Sequence, residues 1–201
     1  FSFLCVFNVK ILNLALKIID INAKLIERAR QGDQQAMYRL YKMHVQAMYN
    51  TSIRIVVNQF DAEDVIQESF LSAFKRLSSF KGESTFGVWL KRIVINKSLN
   101  ALRQKKQTFT DLDNLHIAYE ESDSEDLPEV TLEVIHEAIK GLPEKARVVL
   151  NLYLLEGYLH KEIAEMLDIS ESTSKSQYLR ARRLLQERIK SELNIKLVQE
   201  N

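Results

Sequence analysis

Apolar residues recur at helical spacing almost throughout this chain. In "DAEDVIQESFLSAFKRLSSF", Ile66, Phe70, Phe74 and Leu77 fall on one face at steps of four, four and three. In "TFGVWLKRIVINKSLNALRQKK" the stripe is Phe86, Leu90, Ile93, Val94 and Leu102. Two segments precede these, "AKLIERARQGD" ending near Gly32 and a long one starting at Asp33. Asp61 is placed to cap the third helix, with Asp64 three residues on, and Ser84 to cap the fourth. Four helices sharing a core make a compact first domain over residues 22–106.

Periodicity then fails. Residues 107–129, "QTFTDLDNLHIAYEESDSEDLPE", have the composition of a disordered or extended linker. Helical patterning returns over residues 130–192. "VTLEVIHEAIKG" closes at Gly141, and "LPEKARVVLNLYLLEG" has Pro143 in its first turn and Gly157 after its last, the polarity expected of one helix. "HKEIAEML", the turn "DIS" and a helix from Glu171 follow, leaving residues 193–201 as a tail. The expected fold class is all-α, two small helical domains joined by an acidic linker.

Charge sharpens this division. The net charge is only +1, but residues 21–106 carry 15 Lys/Arg against 7 Asp/Glu, residues 107–130 none against 8, and residues 131–201 carry 11 against 11. Residues 171–190 hold six basic and two acidic side chains, so positive charge is concentrated on one helix. Cys5 is the single cysteine, which excludes an intrachain disulfide and fits a reducing, cytoplasmic setting. Residues 1–21 are apolar but broken by Asn8, Lys10, Asn13 and Lys17, short of the roughly 20 uninterrupted residues of a membrane span. They lack the basic start and small-residue cleavage site of a signal peptide, and read as an N-terminal apolar segment of uncertain origin. The four histidines are scattered without metal-ligand spacing, and there is no Gly-rich phosphate loop or nucleophile arrangement. No cofactor, metal or catalysis is expected.

The stretch "EIAEMLDISESTSKSQYLRARRLL" carries the chemistry. Ile163, Ala164 and Leu167 form the inner side of its first helix, Asp168 and Ile169 a tight turn, and Ser170 a cap for the next helix. That is a helix-turn-helix, a motif whose second helix enters the major groove of DNA. With Tyr178, Ala181 and Leu185 inward, Ser172, Thr173, Lys175, Ser176, Gln177 and Arg180 are left to DNA. Hydroxyls and backbone N–H groups at a helix start suit phosphates, and Gln and Arg suit base edges.

The block "DAEDVIQESFLSAFKRLSSFKGESTFGVWLKRIVINKSLNALR" resembles the second domain of extracytoplasmic-function (ECF) sigma factors of bacterial RNA polymerase. "LPEKARVVLNLYLLEGYLHKEIAEMLDISESTSKSQYLRARRLL" resembles their fourth, and together the two cover roughly residues 22–190. Departures are Ser172 where the family usually has Gly, Ser174 where it often has Val, and Gln177 where it often has Arg.

The resemblance implies a promoter-specificity subunit, with core polymerase (β′ clamp and β subunit), promoter DNA and an anti-sigma factor as partners. It implies that Asp61, Glu63, Asp64, Gln67 and Glu68 dock on the clamp coiled coil. On chemistry alone Asp61 and Asp64 read better as helix-start acids, whereas Glu63 and Glu68 have no capping duty. It further implies that "SSFKGES" captures a flipped minus-ten base. Phe80 and Lys81 stand there, and Phe80 is either a stacking surface or core. Trp89, Lys91, Arg92 and Asn96 follow on the next helix, with Trp89 open between core and interface. The minus-thirty-five element falls to Ser170, Ser172, Thr173, Lys175, Ser176, Gln177 and Arg180. A linker of about 23 residues reaches at most roughly 75–83 Å, more than two turns of DNA at about 34 Å each.

Overall fold

The structure is a computed structural model and describes residues 22–108 and 131–199. The N-terminal apolar segment and nearly all of the acidic linker lie outside the described residues. Among the described residues there is no strand. Helix α1 covers residues 22–30, followed by α2 Gln34–Val56, α3 Gln59–Lys75, a 3-10 turn Leu77–Ser79 and α4 Phe86–Thr108. Then come α5 Leu132–Lys140, α6 Glu144–Leu150, a π turn Asn151–Leu155, α7 His160–Leu167 and α8 Glu171–Gln199. The chain divides into two compact units, one of residues 22–53 and 58–98, the other of residues 54–57 and the described residues from 99 onward.

In the first unit the helix starts are fixed by side chains. Gly32, at φ +86°, ends α1 in a conformation open to glycine. Asp33 Oδ1 then accepts from the N–H groups of Gln35 (2.9 Å) and Ala36 (3.1 Å). Those bonds, Ala36 foremost, and Arg28 at 2.6 Å hold the Asp33 carboxyl below the usual carboxylate range. Helix α3 starts earlier than its acids suggest. Its cap is Asn58, whose side chain accepts from the Asp61 N–H at 3.1 Å. Asp61 therefore sits in the first turn and does not cap. Helix α4 is capped by Thr85, whose Oγ1 accepts from the Val88 N–H at 3.3 Å, whereas Ser84 bonds the Thr85 carbonyl.

The expected stripes are buried except at Phe74 and Ile93, which are half-buried. Ile66, Phe70 and Leu77 are buried, as are Phe86, Leu90, Val94 and Ile95, with Ala36, Leu40 and Met48 buried in the same unit. Each such large side chain gains about 1.5–3 kcal/mol from leaving water. Of the hydroxyls buried inside, those of Ser52 and Ser98 are 3.1 Å apart. Ser98 donates its proton to the Val94 carbonyl at 2.9 Å, so Ser52 is the donor between them.

In the second unit Leu142, Ala146 and Leu150 of the α6 region pack on Ala181 of α8, flanked by Ile139, Tyr178, Leu184 and Leu185. The single helix expected between Pro143 and Gly157 is two pieces. Pro143 is the cap of α6, and from Asn151 the helix widens into the π turn, ended by Gly157 at φ +77°. Helix α8 runs on to Gln199, through the expected tail, where no Gly or Pro stops it.

Candidate nucleic-acid interface

The helix-turn-helix forms at the expected residues. The Glu162 carboxylate accepts the Leu159 N–H at 2.8 Å, and Ile163 and Ala164 are buried. Asp168 turns the chain in the left-handed region (φ 55°, ψ 51°), with the Ile169 N–H bonding the Ala164 carbonyl at 3.0 Å. Ser170 Oγ accepts the Thr173 N–H at 3.0 Å and caps α8. Its hydroxyl also meets those of Ser172 (2.8 Å) and Thr173 (2.7 Å), a small cluster at the head of the helix.

The outward face of α8 differs from the expected one. Ser172, Lys175, Ser176, Arg182 and Arg183 are exposed, whereas Thr173, Gln177 and Arg180 are half-buried on its flank. Gln177 Oε1 and Arg180 Nε are enclosed without a hydrogen-bond partner among the described residues. Inward phasing from Tyr178, Ala181 and Leu185 misplaced these two. Tyr178 is itself half-buried, so the packed face is centred nearer Ser174 and Ala181, which are fully buried. Lys175 pairs with Glu171 at 2.6 Å, which holds the Glu171 carboxyl below its usual range. Arg182 lies over the Tyr178 ring at 6.0 Å and Arg183 stands 3.6 Å from Glu187. Arg182 and Arg183, part of the arginine cluster "RARR", are exposed on the same helix although neither was among the residues expected to meet DNA.

On the first unit the acids of α3 form an open face. Glu63, Asp64, Gln67 and Glu68 are exposed and Asp61 half-buried. Glu63 accepts from the Gln59 amide at 2.9 Å, and Glu68 pairs with Lys97 of α4 at 2.9 Å. Phe60, 77% exposed in the first turn of α3, adds an apolar surface beside them. A bare aromatic next to an expected cap carries no signal in sequence.

The loop after α3 is held from behind. Arg30 of α1 donates to the carbonyls of Leu77 (3.3 Å) and Phe80. Phe80 is a core residue, 6% exposed, with ring centroids 5.3 Å from Trp89 and 6.0 Å from Phe86. It is not the open stacking surface allowed by the sequence, because three aromatic rings close on one another. Trp89, 5.8 Å from Phe86, is half-buried in the same cluster. Outside it, Lys81, Gly82, Glu83 and Ser84 are exposed, and Arg92 and Asn96 stand four residues apart on the open side of α4, with Lys91 half-buried.

Two family descriptions match these regions: Sigma-70 region 2 over residues 40–108 and Sigma-70 region 4 over residues 132–185. The ECF RNA polymerase sigma-E factor of Haemophilus influenzae is 30% identical over 177 residues, covering 82% of this chain and 93% of that one. The chain belongs to the ECF sigma factors. The sigma-E factor of Escherichia coli K12 is likewise 30% identical, covering 82% of this sigma factor and 92% of its own length. Among solved structures, the sigma factor RpoE of Bartonella quintana, in complex with the anti-sigma factor NepR, shares the fold at TM-score 0.52 and 23% identity. It covers 76% of this chain and 96% of that one. No helix among the described residues is long and apolar enough to cross a membrane.

Proposed function

We propose that this sigma factor docks on core RNA polymerase through the acidic face of α3 and reads a promoter with two heads. Glu63, Asp64 and Gln67 meet a basic surface on the polymerase clamp, with Phe60 beside them. The loop from Lys81 to Ser84 takes a base displaced from the minus-ten duplex, walled rather than stacked by Phe80, while Arg92 and Asn96 follow the strand. The head of α8 enters the major groove of the minus-thirty-five element. There the Ser170–Thr173 hydroxyls and Lys175 hold phosphate, Ser172 and Ser176 face the base edges, and Arg182 and Arg183 anchor the helix electrostatically.

The observation that carries this reading is the outward face of α8, where hydroxyl and basic side chains are exposed together over a capped helix start. The protein contributes recognition and melting, without catalysis of its own, and works where core polymerase is, in the cytoplasm. An anti-sigma factor is a further proposed partner, as one is bound by the RpoE relative. Footprinting on a promoter with core polymerase tests the assignment. Protection of both elements by the assembled enzyme, and of neither by core alone, is the expected result. Binding by the sigma factor alone with no effect of polymerase would instead describe a free-standing helix-turn-helix regulator.

A further inference from the structure

The inner side of α8 holds a polar group where helix-turn-helix packing calls for an apolar one. Ser174 is 0% exposed, directly beneath the reading face. Its hydroxyl lies 2.9 Å from Nδ1 of His160, the first residue of α7, fourteen positions earlier. The imidazole is itself held on two sides. Tyr153 of the π turn stacks on it at 4.2 Å and 10°, Tyr178 of α8 meets it at 5.7 Å and 62°, and the two tyrosines pack at 4.7 Å.

We propose that the His160–Ser174 hydrogen bond is the joint that sets the angle and rotation of the reading helix, making this pair a determinant of upstream-element recognition. The inference rests on α8 being the minus-thirty-five head. Apolar packing tolerates sliding and rotation, since dispersion and burial have no direction. A hydrogen bond to a ring fixed by two aromatic contacts has both a length and a direction. Ser174 is the inward neighbour of Thr173 and Lys175 and lies two residues from Ser172 and Ser176. A rotation of α8 that breaks the joint therefore turns all four reading positions by the same angle. The electrostatics of the ring favour the bond. Burial, then the nearby Lys175, pulls His160 below the ordinary histidine range against the raising effect of Glu171. The neutral imidazole keeps a lone pair for the Ser174 proton when Nδ1 is the unprotonated nitrogen. The widened turn is part of the device, since it carries Tyr153.

The test uses the full chain with core polymerase on promoters randomised in the upstream element. The variants are Ser174→Val, His160→Phe, the double variant, and Ser174→Thr, which keeps the hydroxyl. Removing His160 leaves the Ser174 hydroxyl buried and unpaired and removing Ser174 leaves the half-buried ring without its partner, whereas replacing both with apolar groups removes the mismatch. Each single variant is expected to shift the base preference and reduce upstream-dependent output. The double variant should recover output by about fivefold or more over the product of the single effects, a coupling in the range found for contacting residues. Ser174→Thr should keep the parent's preference. Single effects that simply multiply, or preferences unchanged while only the melting temperature falls, would overturn the joint. A parent with no upstream preference at all would overturn the reading of α8 itself, which separates the two failures. Should either single variant fail to fold, comparison of the double and Ser174→Thr variants with the parent still decides: a strongly altered preference in Ser174→Thr, or the parent's preference fully retained in a folded double variant that has no such bond, counts against the proposal.

Discussion

The Asn58 side chain accepts a hydrogen bond from the Asp61 N–H at 3.1 Å, and this contact starts α3 ahead of its acidic cluster. Capping and the proposed docking are thereby separated along the chain. Asn58→Ala is expected to cost about 1 kcal/mol of stability, read as a lower denaturation midpoint, with core affinity unchanged for the folded protein. Glu63 and Glu68 both changed to Lys should do the reverse, weakening core binding while helical content stays intact. Exposed pairs such as Glu68–Lys97 contribute only about 0–1 kcal/mol, so the stability loss should be small. Unchanged core affinity in a fluorescence titration would remove α3 from the docking surface.

Phe80 is tested by stability first and DNA second. Its ring is buried against Trp89 and Phe86, so Phe80→Ala should destabilise the first unit by about 3–5 kcal/mol. Lys81→Ala, on the exposed loop, should leave stability within about 0.5 kcal/mol and reduce permanganate reactivity of the minus-ten region. A stable Phe80→Ala protein with defective melting would return the ring to the role of a stacking surface.

Much of this was legible because helices announce themselves by spacing. The stripes from Ile66 to Leu77 and from Phe86 to Leu102, the turn at Asp168 and the Ser170 cap all follow from local chemistry. What was not legible depends on contacts made at a distance. Asp61 and Ser84 looked like caps because their residue types fit, but Asn58 and Thr85 stand at the positions where the chain actually turns. Phe80 could be placed in the core only once Phe86 and Trp89 were known to close on it. Gln177 and Arg180 sit at the edge of the packed face, where an error of one flank exchanges exposed for enclosed. Ser174 was visible as a departure, but its partner His160 emerges only when α7 and α8 cross.

The same pair gives a pH dependence. His160 has its pKa lowered in the folded chain, burial being the first cause, so between its folded value and the unfolded value of about 6.5 the unfolded state binds more protons. Stability from this group is fully present above about pH 6.5 and is lost as pH falls through that window. Thermal melts between about pH 5 and 7.5 should therefore show a falling melting temperature on acidification that is shallower in His160→Phe. Identical slopes would show that the ring is not linked to folding.

On α8, exposed and half-buried side chains should separate in their salt dependence. Lys175→Ala and Arg182→Ala should each lower the slope of log affinity against log salt by about 0.9, as expected for one lost phosphate contact on duplex DNA. Gln177→Ala should leave that slope unchanged. Promoter binding of the assembled polymerase at several salt concentrations measures both. A changed slope for Gln177→Ala, or none for Arg182→Ala, would turn the reading face toward the flank.

The most direct measurement is run-off transcription by purified core polymerase, with and without this sigma factor, on templates randomised across the promoter region. Two separated sequence blocks should be enriched among the transcribed templates only when the sigma factor is present. Glu63 and Glu68 changed to Lys should abolish that enrichment, and Arg182→Ala should weaken the upstream block's contribution. Transcription no different from that of core alone, from protein shown to be folded, would contradict the account.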